Sequence, residues 1–343
     1  MDKKTKMMDK DSELYKGARN AVRVCMNVKA SDRVFILTDD ETIAVGKALE
    51  REVEAVYAAV ECVCLEEFGR RPMTQLPDKL AQQVVSFLPS VTFLATTAKE
   101  GELPMRNGFV DVVLGEVGTR HAHMIGVTPQ IMREGMRADY KKIYNLTMRV
   151  YDKVRQAKAM HVTSPEGTDL IARFDEKLKW VPLGGLYHEA PVFGNLPEGE
   201  VFTSPAFIEG VIAGRVLGDH FSTKYGVLTH PVMIEIVNNF ATRIQCEQKD
   251  VEEELIGYLD SSNNGRRVGE FAVGTNIGVT ALCGVMLQDE KIPGIHIAFG
   301  SPLGHFTGAD WESDTHVDVV PTGCTIEVDG ELIMRDGHFT SLG

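Results

Sequence analysis

Apolar and polar positions alternate with two different periods along the first half of the chain. Amphipathic stretches with a helical period, among them 42–57 and 78–88, lie between short apolar runs. Strands that alternate with helices are typical of a parallel sheet, so the pattern predicts an N-terminal α/β domain. The apolar runs that we interpret as strands are 33–37, 58–65, 91–96, 109–115 and 123–127.

The second half of the chain has a different pattern. Beyond a long amphipathic stretch at 138–159, short runs alternate apolar and polar residues with period two, and a helix is expected only at 250–258. Asp329-Gly330 joins the last two runs and is a strong hairpin signal. The sequence therefore predicts a β-rich α+β domain after the α/β domain. We place the domains at 1–158 and 159–343 and expect the first to cover a site carried by the second.

Composition excludes several classes of protein. The chain has 343 residues and a formal net charge of -13, so its long-range field repels the phosphates of nucleic acid. No stretch approaches the ~20 apolar residues of a membrane span, and the first residues lack the apolar core of a signal peptide. Six cysteines with no CxxC pair and no repeated spacing predict buried free thiols in a reducing compartment. We expect a cytoplasmic protein with no nucleic-acid or membrane partner.

Carboxylates and imidazoles gather at strand ends and turns of the second domain. Glu200 opens an apolar run, Glu270 lies in a second run, and His296 interrupts a third. His316 and Asp318 are two residues apart, so a strand would point both side chains to one face. Such a pair suits zinc, manganese, cobalt or iron. A solvated strand face and a hydrogen-bonded core histidine are the structural alternatives.

The pair His121 and His123 has the same spacing in the first domain. No carboxylate pattern lies near these two residues in the sequence. We therefore assign them a structural or surface role rather than a metal-binding one.

Taken together, the motifs of the second domain resemble the aminopeptidase T and aminopeptidase S family of dinuclear metallopeptidases. The matching segments are NLPEGEVFTSP, VGEFAVGTN, GIHIAFG and DTHVDVV, in the family's order and at comparable intervals. The first half resembles the family only as an alternating α/β domain. The resemblance implies that two divalent ions, zinc, cobalt or manganese, are held by Glu200, Glu270, His296, His316 and Asp318.

The same resemblance implies a metal-dependent hydrolase. Water activated by the two ions would attack a terminal peptide bond or a small amide, and a carboxylate would accept the proton. Glu200 and Glu270 are the candidates for this catalytic base, and the sequence does not distinguish them. Members of the family form oligomers, so we expect a homodimer or a larger homo-oligomer.

One position departs from the family pattern. Leu303 stands seven residues after His296, where the aminopeptidases carry a tyrosine, so a phenol that could stabilise an oxyanion is missing. His305 is a candidate replacement, and Asp310 and His188 are candidate substrate-contacting or supporting residues. Ordinary polar roles in loops explain these three side chains equally well.

Two other functions stay open. The related 2,5-dihydroxypyridine dioxygenases bind one Fe(II) through two His and an Asp, with His at the position of Glu270 and no ligand at those of Glu200 and His296. Both glutamates and His296 are present here, which favours the hydrolase. The second alternative is a catalytically idle member. The intact set argues against it, because clustered buried carboxylates repel one another without cations.

Overall fold

The computed structural model describes residues 13–218 and 220–340. The domain limits expected from the sequence, 1–158 and 159–343, stay a prediction. Contacts between backbone positions divide the chain into two compact units, of which the first comprises Met1–Lys142 with Gly185–Glu198 and the second Ile143–Gly184 with Gly199–Gly343.

Short strands and helices make up both units. The helices include Ile43–Glu54, Asp78–Phe87, Leu103–Asp111, Pro129–Arg133, Tyr140–Val154, His220–Tyr225, Lys249–Asp260, Met286–Asp289 and Gly304–Thr307. In chain order the strands are β1 (Arg33–Thr38), β2 (Ala59–Cys64), β3 (Val91–Ala95), β4 (Arg120–His123), β5 (Ala159–Thr163), β6 (Asp169–Arg173), β7 (Val181–Leu183), β8 (Val192–Asn195), β9 (Glu200–Thr203), β10 (Phe207–Gly214), β11 (Val216–Leu217), β12 (Val232–Val237), β13 (Phe240–Gln245), β14 (Val268–Gly274), β15 (Gly294–Gly300), β16 (His316–Val320), β17 (Thr325–Val328), β18 (Glu331–Arg335) and β19 (His338–Phe339).

The first unit contains a five-stranded parallel sheet with the order β2-β1-β3-β4-β8. The predicted N-terminal α/β architecture is therefore confirmed. The strand predicted at 109–115 is wrong, since these residues end the helix Leu103–Asp111 and enter the π-helical turn Val112–Val117. The side chains buried in that run have helical spacing, and a run this short does not separate a strand from a helix. The run at 123–127 lies mostly beyond β4, which ends at His123.

The second unit contains two antiparallel sheets, as the period-two pattern predicts. Their strand orders are β13-β12-β10-β6-β5-β17-β18-β19 and β11-β16-β15-β14-β9-β7. Ile208 and Ile234 of the first sheet share one hydrophobic core with Phe271 and Ile297 of the second. The predicted hairpin joins β17 to β18. This mixed architecture is the α/β domain followed by a β-rich α+β domain that the sequence predicts.

The cysteines and the helix lengths bear on two further expectations. All six cysteines are free thiols, of which Cys25, Cys246 and Cys324 are buried and the other three are half-buried. Within the residues that the structure describes, no helix is both long and apolar enough to cross a lipid bilayer.

The pleat of the six-stranded sheet separates a core face from a polar face. Opposite residues on antiparallel strands point to the same side. The pairs that define the polar face are Glu200 with Gly274, His296 with Ala272, Asp318 with Ala298, Glu270 with Ala298, and His316 with Gly300. The alternate residues, including Val273, Ile297 and Val319, belong to the core.

A β-bulge at Gly269 maintains this division at the start of β14. Glu270 pairs with Ala298 and Val268 pairs with Phe299, so Gly269 is the additional residue. The bulge turns Val268 into the hydrophobic core, whereas regular alternation would place it on the polar face beside Glu270. A Cβ at position 269 would lie 2.4 Å from the carbonyl oxygen of Ser301 and 2.5 Å from that of Gly300.

We expect Gly269→Ala to lower the free energy of unfolding by ~1–3 kcal/mol, because the added methyl group meets backbone atoms that cannot turn aside. Urea denaturation measures the change. The matched control is Gly257→Ala, since position 257 is exposed in the helix Lys249–Asp260 with no atom near a new Cβ. This control should stabilise the protein by ~0.5–1 kcal/mol. Equal stability of Gly269→Ala and the wild type would contradict the analysis.

Candidate metal centre

The five residues predicted to bind metal lie on four adjacent strands of the second unit. Their side chains share the polar face of the six-stranded sheet, from β9 through β14 and β15 to β16. His316 is half-buried, and the four that are buried are Glu200, Glu270, His296 and Asp318. The structure therefore brings the complete predicted set together in a largely solvent-excluded place.

The donor atoms of the set face one another at short range. The Nε2 atom of His296 lies 3.6 Å from Oε1 of Glu270 and 3.9 Å from Oδ1 of Asp318. The Nε2 atom of His316 lies 3.4 Å from Oε2 of Glu270 and 3.6 Å from Oδ1 of Asp318. Ligands at the usual Zn–N and Zn–O distances in tetrahedral geometry are separated by roughly 3.3–3.6 Å. The arrangement therefore fits a divalent ion.

Backbone carbonyl groups orient both imidazoles toward this centre. The Nδ1 atom of His296 donates to the carbonyl oxygen of Glu290 at 2.9 Å, and Nδ1 of His316 donates to that of Ser301 at 3.1 Å. A carbonyl oxygen can only accept, so each ring has a proton on Nδ1 and turns Nε2 toward the carboxylates. Metal-binding histidines are characteristically held in this way.

The carboxylates dominate the electrostatics of the centre. Burial disfavours an imidazolium ion, but Glu270, Glu200 and Asp318 outweigh it and raise the pKa of His296 to about 9. Burial also opposes the charge on His316, yet Asp318 and Glu270 raise its pKa to about 10. Burial acts against the anion of Asp318, but the two imidazoles lower its pKa. Without metal, protons on the imidazoles supply the positive charge that the carboxylates require.

Two further charged residues belong to this place, and sequence reasoning missed them. Lys291 is fully buried, with Nζ at 2.7 Å from Oε1 of Glu200 and 2.8 Å from Oε1 of Glu290. Burial raises the pKa of Glu290. In the sequence both residues stand in the charged segment DEK before a Pro-Gly turn, which is typical of an exposed loop. The proximity of this segment to the run of His296 was the one available signal.

The three candidate supporting residues are all exposed. His305 stacks against Phe306 with ring centroids 3.9 Å apart, and Asp310 lies in the following loop. His188 belongs to the first unit, where its Nε2 atom lies 2.9 Å from the carbonyl oxygen of Val24. Contacts with substrate stay a prediction for these three side chains.

The chain belongs to a metalloprotease family. The thermophilic metalloprotease family M29 matches residues 128–339, which is more than half of the chain and contains all five predicted ligands. This membership supports a metal-dependent peptidase. No curated protein matches the sequence.

Two solved structures share the fold. The wild-type AmpT of Thermus thermophilus has 20% sequence identity and a TM-score of 0.69, and the match covers 96% of this chain and 99% of that one. A 2,5-dihydroxypyridine dioxygenase of Pseudomonas putida KT2440 has 16% identity and a TM-score of 0.67, with coverage of 96% and 98%. At these identities the two structures establish the fold alone. The reaction has to be inferred from the family and from the site.

Metal binding should release protons from the metal-free protein near neutral pH, because a metal ion and a proton compete for each Nε2 atom. Both imidazole pKa values lie above the ordinary value. The imidazolium ions therefore stabilise the metal-free fold fully below the ordinary pKa of about 6.5, and this contribution is lost as the pH rises through about 9 and about 10. Affinity for Zn²⁺ should accordingly increase with pH.

Calorimetry in two buffers of different ionisation enthalpy counts the released protons. His316→Gln should release fewer protons than the wild type. His161→Gln, which removes an exposed imidazole paired with Asp169, should not change the number. An affinity for Zn²⁺ that does not change between about pH 6 and pH 9 would contradict the proton competition.

Proposed function

We propose that this chain is a metal-dependent aminopeptidase-like hydrolase that cleaves a terminal peptide bond or a small amide. The observation that carries the proposal is the convergence of three carboxylates and two imidazoles on one buried sheet face, with both Nε2 atoms directed inward. The family membership of this same segment supports it. A mixed oxygen and nitrogen donor set suits zinc, cobalt or manganese.

The residues of the centre divide into those that would hold metal and one that would move a proton. When bound, a divalent ion lowers the pKa of water and polarises the substrate carbonyl. Glu270 faces both imidazoles with its two oxygens, and Asp318 faces both with one. We assign Glu270, His296, His316 and Asp318 as the ligands.

Glu200 is the better candidate for the catalytic base. Lys291 holds its Oε1 atom at 2.7 Å, and its Oε2 atom lies 3.7 Å from Nε2 of His296. One oxygen is thus anchored while the other faces the centre, where it would accept a proton from the attacking water and pass it to the leaving amine. The two oxygens of Glu270 do not differ in this way, since both face the imidazoles.

Leu303 stands where the aminopeptidases carry a tyrosine, so no phenol from this position can stabilise an oxyanion. Leu303 is half-buried, has a φ of 50° and directly precedes the helix Gly304–Thr307. We propose that an adjacent loop donor, for which His305 is the candidate, supplies the missing hydrogen bond. The proposal further includes a peptide or small amide as substrate, a homodimer or larger homo-oligomer, and a location in the cytoplasm.

The ring-cleaving dioxygenase of the dihydroxypyridine type is the second candidate. Its support here is the shared fold of the dioxygenase structure. The carboxylate at position 270, where the resemblance places a histidine in the dioxygenases, favours hydrolysis. Oxygen uptake with Fe²⁺ and 2,5-dihydroxypyridine would identify the dioxygenase, whereas no bound metal and no turnover would identify an idle member.

We expect Glu200→Gln to reduce kcat for an aminoacyl p-nitroanilide by at least ~100-fold, because the proton acceptor is lost. The variant should still bind Zn²⁺. His316→Ala should lose both turnover and most of its metal affinity. The rate of nitroaniline release measures turnover, and calorimetry with Zn²⁺ measures metal affinity, so the two effects are determined separately.

The matched control is Glu327→Gln, which neutralises an exposed carboxylate on β17 of the same unit and should leave both readouts unchanged. An N-acetylated substrate tests the preference for a free amino terminus and should not be cleaved. Wild-type turnover in either Glu200→Gln or His316→Ala would rule out the proposed roles.

A further inference from the structure

Two buried hydrogen-bond donors of the second unit lack an acceptor and belong to side chains that are in contact. The guanidinium carbon of Arg267 lies 3.5 Å from the centroid of the Trp311 ring, within the range of a cation–π interaction. Among the residues that the structure describes, neither Nε of Arg267 nor Nε1 of Trp311 has a hydrogen-bond partner. Buried polar atoms are nearly always hydrogen-bonded, so this pair calls for an acceptor from outside the chain.

The positive charge of Arg267 is not neutralised by a paired carboxylate. Within the described part of the chain, Asp310 acts on this guanidinium group through its charge alone, and burial lowers the pKa of Arg267. The adjacent Arg266 differs, because it pairs with Asp260, which raises its pKa. A half-buried guanidinium ion with no paired anion is suited to bind an anion from solution.

Arg267 faces the same side of the six-stranded sheet as the metal centre. It directly precedes Val268, whose side chain lies in the hydrophobic core, so the extended backbone turns Arg267 to the polar face. The N–H of Gly300 donates to the carbonyl oxygen of Arg267 at 2.7 Å, and Gly300 pairs with His316 on the next strand. Two strand spacings, about 10 Å, therefore separate the backbones of Arg267 and His316, and the residue between them has no side chain.

The charges along β14 match the two ends of a short peptide. Glu200 pairs with Gly274, the last residue of β14, whereas Arg267 directly precedes the first. An extended peptide advances about 3.3 Å per residue. The long side chain of Arg267 can therefore meet a carboxylate one residue beyond a bond that is held at the metal centre. A guanidinium group binds such a carboxylate through two parallel hydrogen bonds.

We propose that Arg267, stacked on Trp311, binds a substrate carboxylate next to the scissile bond, so that the preferred substrates are dipeptides or short acidic peptides. The inference rests on the proposed function and specifies its substrate class. The carboxylate is either the carboxyl terminus of a dipeptide or the side chain of an acidic residue that follows the scissile bond. Both sources offer the same two oxygens to Arg267, and the choice of substrates distinguishes them.

Hydrolysis of substrates that differ in one charge tests the inference. In the wild type loaded with Zn²⁺, we expect kcat/KM for leucylglycine to exceed that for leucylglycinamide by at least about tenfold. Arg267→Gln should remove this preference by raising KM for leucylglycine, with kcat and the turnover of leucylglycinamide unchanged. The α-amide of leucylaspartate has its carboxylate on the side chain, so its kcat/KM shows which source Arg267 binds.

The matched control removes another arginine that stacks on an aromatic ring. Arg173 is exposed on the other sheet of the same unit, with its guanidinium carbon 5.2 Å from the centroid of the Phe207 ring. Arg173→Gln should keep the wild-type preference. Equal kcat/KM for all three substrates in the wild type would overturn the inference. An equal loss for charged and uncharged substrates in Arg267→Gln would do the same.

A second variant covers the case in which Arg267→Gln does not fold. Arg267→Lys keeps the cation but loses the planar fork, and we expect it to reduce the preference for leucylglycine by several-fold. An unchanged preference in Arg267→Lys would then overturn the role of Arg267.

Binding without turnover separates this inference from the proposed function. Trp311 is half-buried, and Trp180, the other of the two tryptophans, lies in the hydrophobic core. Titration of Glu200→Gln loaded with Zn²⁺, followed by tryptophan fluorescence, should show at least about tenfold tighter binding of leucylglycine than of leucylglycinamide. Adding Arg267→Gln should abolish the difference. This binding difference without wild-type hydrolysis would contradict the proposed function alone, and hydrolysis without the difference would contradict this inference alone.

Discussion

Buried negative charge is the constraint on which the second unit depends. Glu200, Glu270 and Asp318 share a largely dry sheet face, and carboxylates in such a place must be paired with positive charge or protonated. The metal-free protein provides that charge from its own side chains, through the raised pKa values of both imidazoles and through Lys291. Metal would replace protons on the Nε2 atoms of the imidazoles. Protons and metal ions therefore compete for the same two imidazoles.

The sheet makes this concentration of charge possible because its two faces are chemically separate. The core face carries large side chains such as Phe271 and Phe299, whose burial offsets the cost of placing polar groups on the other side. On the polar face, Ala272 and Ala298 lie directly opposite ligand residues. Methyl groups at these positions leave the space between strands to longer carboxylate and imidazole side chains. The hydrophobic core is thus what holds the donor atoms at fixed spacing.

The sequence predicted most of this arrangement, since strand alternation and motif order depend only on local pattern. The spacing of His316 and Asp318 is enough to place them on one face once a strand is assigned. Lys291 could not be found in this way, because its burial results from the packing of a charged loop segment against β9 and β14. The strand expected at 109–115 failed for a related reason. A short apolar run indicates that its residues are buried. Tertiary packing determines whether those residues form a strand or a helix.

A comparison of His121 and His123 with His316 and Asp318 shows that spacing alone does not define a metal site. His121 and His123 have the strand spacing of His316 and Asp318, yet they pack with Phe193 in the first unit. Burial lowers the pKa of His123 to about 3, so that pair is neutral and behaves as part of an aromatic cluster. Replacing one imidazole by a carboxylate reverses the outcome, because the anion raises the basicity of its neighbour. The chemistry of the polar face is therefore determined by its carboxylates, and the imidazoles acquire their role from them.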